Sequence, residues 1–158
     1  CEKARKEGGI ITMKNLKQQG KSPVLLLASA VVSAAGLMVY LVNTLTGYMA
    51  GRGLNVTVVA ATAVAIIALV ADAVSMDKLN DIAIDGIMVG AAVLQIIGFL
   101  FFVLDRVSIV ADVYFLPVNY PVAEETALNI SIVGFVLYIL AIILATVAAF
   151  STRPSEKE

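Results

Sequence analysis

Four aspartates fall close together near the middle of the chain, Asp72, Asp77, Asp81 and Asp85, with Lys78 among them. Asp81 and Asp85 are four apart and would share one face of a helix, and carboxylates inside a bilayer mark proton or cation paths. Asp72, Asp81 and Asp85 are therefore the candidate ion-site residues. Their positions weigh against that role. Residues 53–71 and 86–104 carry no charge, and each stretch is about long enough to cross a hydrocarbon core. Asp72 and Asp85 then fall at the headgroups, and acids early in a helix are favoured by its dipole. The interfacial reading is preferred. Other chemistry is scarce: the chain has no His and a single Cys. The commonest general base and metal ligand is missing, and neither an internal disulfide nor a two-Cys relay is available. No catalytic, metal-binding or cofactor-binding residue is assigned, no cofactor is expected, and a non-enzymatic protein is the reading.

The second candidate is the segment from Asp105 to Glu125, DRVSIVADVYFLPVNYPVAEE. It carries Pro117 and Pro121 and an aromatic cluster of Tyr114, Phe115 and Tyr120. An apolar connection of this length is expected to be buried, interfacial or covered by a partner. Tyr114, Phe115 and Tyr120 are thus either a docking surface or anchors at the headgroup level. Arg106 is expected to pair with Asp112 or Glu124 and pin the loop.

These residues need elements to hold them, and the composition says which. The chain is 60% hydrophobic and 15% charged, against about 45–50% and 25% for soluble domains. Charge-free stretches cover 22–51, 53–71, 86–104 and 126–152. Apolar runs of about 18 residues or more are read as transmembrane helices, because a spanning segment must satisfy its own backbone. The spacing predicts an all-α, polytopic membrane protein whose four helices, about 23–45, 55–74, 78–104 and 122–150, form an antiparallel bundle. Residues 105–125 would be its long outward loop. Gly86 and Gly90, extended by Gly98, form a small-xxx-small series for helix packing or self-association. Gln95 and Tyr138 are the midplane polar groups, expected to hydrogen-bond between helices.

Sidedness follows from Lys and Arg. Lys14, Lys17, Lys21, Lys78, Arg153 and Lys157 fall on one side, against Arg52 and Arg106 on the other, so both termini are expected in the cytoplasm. Residues 1–22 read as a polar, basic tail and 151–158 as a polar C-terminal tail. Codons for Lys6-Glu7-Gly8-Gly9 can form a purine-rich ribosome-binding sequence just ahead of Met13. On that ground residues 1–12 are expected not to be native.

Residues 111–134, ADVYFLPVNYPVAEETALNISIVG, resemble small four-helix integral membrane proteins of Gram-positive bacteria. The resemblance implies a bacterial plasma membrane and brings no activity with it. Small multidrug transporters are a poorer match, since they use a carboxylate within helix one, where this chain has none. The functional expectation is an accessory or scaffold subunit of an envelope or transport complex, its partners the bilayer and another membrane protein or a second copy, with no nucleic acid. The alternative is a small oligomeric transporter or channel with an acidic cytoplasmic mouth.

Overall fold

A computed structural model describes residues 22–75, 81–115 and 122–151. It is an all-α bundle of four helices: α1 (Ser22–Leu45), α2 (Val56–Ser75), α3 (Asp81–Phe115) and α4 (Val122–Ser151), with a short 3₁₀ turn over Gly47–Gly51 between the first two. All four are long and apolar enough to cross a membrane. Each packs on two neighbours in a closed ring, α1 most extensively on α4 and α2 on α3. We call the end holding Ser22, Ser75, Asp81 and Ser151 the first face, and the opposite end the second face.

One buried stripe runs along each helix, its members three or four residues apart. On α3 it reads Ile84, Met88, Ala91, Gln95, Gly98, Phe102, Arg106, Ile109, Val113. On α4 it reads Leu128, Ser131, Gly134, Tyr138, Ala141, Ala145, Ala148. A mean spacing of about 3.5 residues keeps one seam facing the partner helices as they supercoil. The remaining faces expose Val31, Val64, Ile67, Val89, Leu100, Val136 and Ile143, side chains suited to lipid.

Near the first face the core is Leu26, Ala30, Leu69, Ile84, Met88, Ala145 and Ala148. In the second-face half an aromatic cluster takes over. Phe102 lies 4.9 Å from Tyr40, 4.8 Å from Phe135 and 5.6 Å from Tyr138 by ring centroid. Glycines on the stripe make room for these rings. A Cβ on Gly36 would stand 3.0 Å from the Tyr138 ring, and one on Gly134 would stand 2.8 Å from Phe102.

The expected end of helix three at 104 is corrected. α3 continues to Phe115, so residues 105–115 are helix rather than loop. Asp105 and Arg106 do not stop it, because their charges face each other and other polar groups. Beyond them Ile109 and Val113 keep the stripe's spacing and pack with Met49, Ala127 and Leu128. The α3–α4 pair thus rises past the end of α1 as a packed projection, with the 3₁₀ turn laid against it. Gly47 and Gly53 flank that turn at φ 65° and 83°, a conformation that other residues reach only with strain.

The expected packing role of Gly86 and Gly90 is corrected for contacts within the chain, which leaves self-association as the alternative for these two glycines. A Cβ on either would meet nothing within 4 Å, because both lie off the inward stripe. Gly98, on the stripe, does pack: its Cβ would stand 2.7 Å from Thr62 Oγ1. Gly86→Ala and Gly90→Ala are therefore expected to leave thermal stability in detergent unchanged, or to raise it by up to about 1 kcal/mol through helix propensity. A clear loss of stability in either variant would contradict this placement.

Candidate functional site

The buried polar side chains among the described residues lie on the inward stripes, and all but Asp72 join a column of contacts between helices. Near mid-bundle, Gln95 Nε2 on α3 donates to Ser33 Oγ on α1 at 2.6 Å, with Ser29 Oγ at 3.5 Å. Both serine oxygens are free to accept, since Ser33 donates to the Ser29 carbonyl and Ser29 to the Ala141 carbonyl, each at 2.8 Å. A second rung crosses the other diagonal: the hydroxyls of Thr62 on α2 and Tyr138 on α4 lie 2.8 Å apart. Nearer the second face, Asn43 Nδ2 donates to Ser131 Oγ at 2.8 Å and to the Ala127 carbonyl at 2.9 Å. Each such contact contributes about 0.6 kcal/mol on average. Their collective effect is on register, because a slide or rotation of one helix breaks several at once. Gln95, Tyr138 and Gly98 thus occupy the packing positions expected of them.

The principal charged node sits one rung further out. Arg106 is fully buried. Its Nη2 donates to Thr44 Oγ1 at 2.6 Å, and its Nη1 lies 3.5 Å from Asp105 Oδ2. The guanidinium also lies 5.3 Å from the Tyr40 ring and 5.5 Å from the Phe102 ring, within reach of their negative faces. Tyr40 completes the node: its hydroxyl donates to Asp105 at 3.2 Å and accepts the Asn55 backbone N–H at 3.0 Å. Asn55 Oδ1 accepts the Thr57 N–H at 3.1 Å, which caps α2. One charged pair on α3 therefore ties down the end of α1 and the start of α2. The expectation that Arg106 pairs with Asp112 or Glu124 is corrected, because Arg106 lies on the inward stripe and its acid partner is its neighbour in sequence.

Asp112 pairs instead with Arg52, at 3.4 Å. Arg52 also donates to Ser108 Oγ at 2.7 Å and to the Tyr48 hydroxyl at 3.1 Å. Glu124 is the main influence that holds the Tyr48 hydroxyl above the usual tyrosine range. The 3₁₀ turn is so fastened to both α3 and the first turn of α4.

At the top of this braced projection Tyr114 and Phe115 stand free, 68% and 79% exposed. A shallow groove beside them is lined by Val113, Tyr114, Glu125, Leu128 and Asn129. Tyr120, the third aromatic of the expected cluster, lies outside the described residues.

At the first face, where its position along the chain is expected to put it, the Asp72 side chain is fully buried. Asp85 is exposed. The Asp81 side chain lies outside the description, as do Asp77 and Lys78. Among the described residues, no three His, Cys, Asp or Glu side chains come together as a metal site. The polar column was missed in the sequence because Ser29, Ser33, Tyr40, Asn43 and Thr62 look like isolated polar residues in apolar runs. Their three-and-four spacing is the signal that would have found them.

No known protein family, curated protein or solved structure matches this chain. The fold and apolar surface make it a multi-pass integral membrane protein.

Proposed function

We propose that the chain is a non-enzymatic accessory or scaffold subunit of a plasma-membrane complex, and that it docks a partner membrane protein through the tip of the α3–α4 projection. The observation that carries this reading is the contrast at that tip. The projection is pinned by Arg106, Arg52 and the Met49 cluster, while Tyr114 and Phe115 at its end are left bare. Aromatic side chains on rigid supports are the usual anchors of interfaces, since they bury large area and lose little conformational freedom. The Lys and Arg distribution supports an orientation with both termini and the first face in the cytoplasm and the tip outside. The similarity of residues 111–134 to small Gram-positive membrane proteins fits a bacterial plasma membrane.

Crosslinking from native membranes, read by mass spectrometry, tests the reading. A partner captured through the tip is expected with the native chain and is expected to be lost with Tyr114→Ala/Phe115→Ala. Thermal stability should stay within about 0.5 kcal/mol, as is usual for exposed positions. Capture that is indifferent to the double substitution would sink the docking reading. A small oligomeric transporter is the second reading, favoured by the buried carboxyl of Asp72 near the acidic first face. Recovery of self-crosslinked copies alone, together with solute flux that falls in Asp81→Asn/Asp85→Asn, would favour it.

A further inference from the structure

The inward stripe of α2 ends, one turn beyond Leu69, on Asp72. This side chain has 0% exposure, and neither carboxylate oxygen has a hydrogen-bond partner among the described residues. A lone ionised carboxylate in such a place is among the most costly groups a protein can bury. Something must neutralise it, and the surroundings restrict what that is.

No basic group among the described residues does so. Asp72 is the only titratable residue of α2. α1 carries only Tyr40, near the opposite face, and α4 has no titratable residue after Tyr138. α3 contributes acids at this end, Asp85 among them, which is exposed at the first face. The residues packed around Leu69 are apolar: Leu26, Ala30, Ile84, Met88, Ala145 and Ala148. A metal cation needs several oxygen ligands, and no cluster of three acidic, His or Cys side chains is present among the described residues. A cation on a partner chain would need a route to the carboxylate, and the side chain is sealed within its own bundle. A proton needs one oxygen and no further ligand.

We propose that Asp72 is a proton-binding site, a carboxyl that carries its proton inside the bundle and exchanges it at the first face beside Asp85. This is independent of the docking tip, more than the length of α2 away at the other end of the molecule. Occupancy sets the charge in the Leu26–Leu69–Met88 layer, so loss of the proton loosens the packing there.

Dicyclohexylcarbodiimide tests the site directly, because this apolar reagent adds to protonated carboxyl groups in apolar surroundings and leaves a stable N-acylurea. The full chain would be reconstituted in liposomes, labelled across about pH 5 to 9, and the modified residue located by mass spectrometry. Label on Asp72 is expected, falling about tenfold per pH unit above its midpoint as the protonated fraction falls. Asp72→Asn, which is neutral and nearly isosteric, should fold and lose that label, whereas Asp85→Asn should keep it. Three outcomes would overturn the proposal: no label on Asp72 at any pH, protection by sodium at constant pH, or label that appears only after Lys78→Met. The second would mean a metal cation and the third a lysine partner.

Discussion

Asp105→Ala is expected to cost about 2–4 kcal/mol of bundle stability, the larger part of what breaking a buried ion pair usually costs. The loss exceeds the value of the contact itself, since it strands the guanidinium of Arg106, which is fully buried and whose Nε already has no partner among the described residues. It also takes the acceptor from Tyr40, whose hydroxyl orients the start of α2. Asp105→Asn keeps an acceptor oxygen for both donors and removes only the charge, so about half the loss is expected. Arg106→Met should be milder than either. It fills similar volume with apolar atoms and leaves a carboxylate whose side chain is still 27% exposed, and an apolar substitute for a buried ion is often neutral or better. Unfolding by SDS in mixed micelles, followed by helical circular dichroism, gives the ranking. Equal losses for Asp105→Ala and Asp105→Asn would show that the charge carries the whole effect and the retained acceptor oxygen none of it. A larger loss for Arg106→Met than for Asp105→Ala would reverse the argument.

The second large effect is expected at Gly134. A Cβ there would stand 2.8 and 2.9 Å from two atoms of the Phe102 ring and 3.4 Å from Val39. The ring has no exposed side to move toward, since Tyr40, Phe135 and Tyr138 surround it. Gly134→Ala should cost about 1–3 kcal/mol, the usual range for overpacking, and Gly134→Leu should prevent α4 from docking on α3 altogether. Shrinking the ring supplies the control. Phe102→Leu opens space, so the double variant Gly134→Ala/Phe102→Leu should be more stable than the two single losses added together. A coupling energy near zero in that cycle would place the glycine elsewhere than against the ring.

The sequence made the four helices legible because charge-free stretches of spanning length leave the backbone no other solution. It misled where a charge was read as the end of a span. Asp105 and Arg106 look like the edge of the membrane when taken as two charges. In three dimensions they form one nearly neutral unit with Arg106 on the inward stripe, and the helix runs eleven residues past the expected boundary of 104. Asp72 shows a different gap. Its distance along the chain indicates an interfacial depth, but depth says nothing about which way the side chain faces, and it faces in. Gly86 and Gly90 satisfy a packing motif by spacing while lying off the stripe, so for contacts within the chain a motif without its helical phase was misleading. The exposed aromatics Tyr114 and Phe115 were legible as residues, but their support was not, because it comes from Met49 and Arg52, distant in sequence.

The four helices differ in length, and this ties the molecule to its lipid. α2 has 20 residues and α3 has 35, about 30 Å against about 52 Å of rise. The shorter helix only just matches an average hydrocarbon thickness, so it is the one that registers hydrophobic mismatch. In a thicker bilayer the ends of α2, including Asp72 on one side and the Tyr40–Asp105 node on the other, are drawn toward acyl chains, and tilting the bundle cannot relieve this, because tilt shortens the span further. A thinner bilayer leaves α2 at ease and lifts more of the α3–α4 projection clear of the headgroups. Membrane thickness is thereby a control on how far the tip stands out.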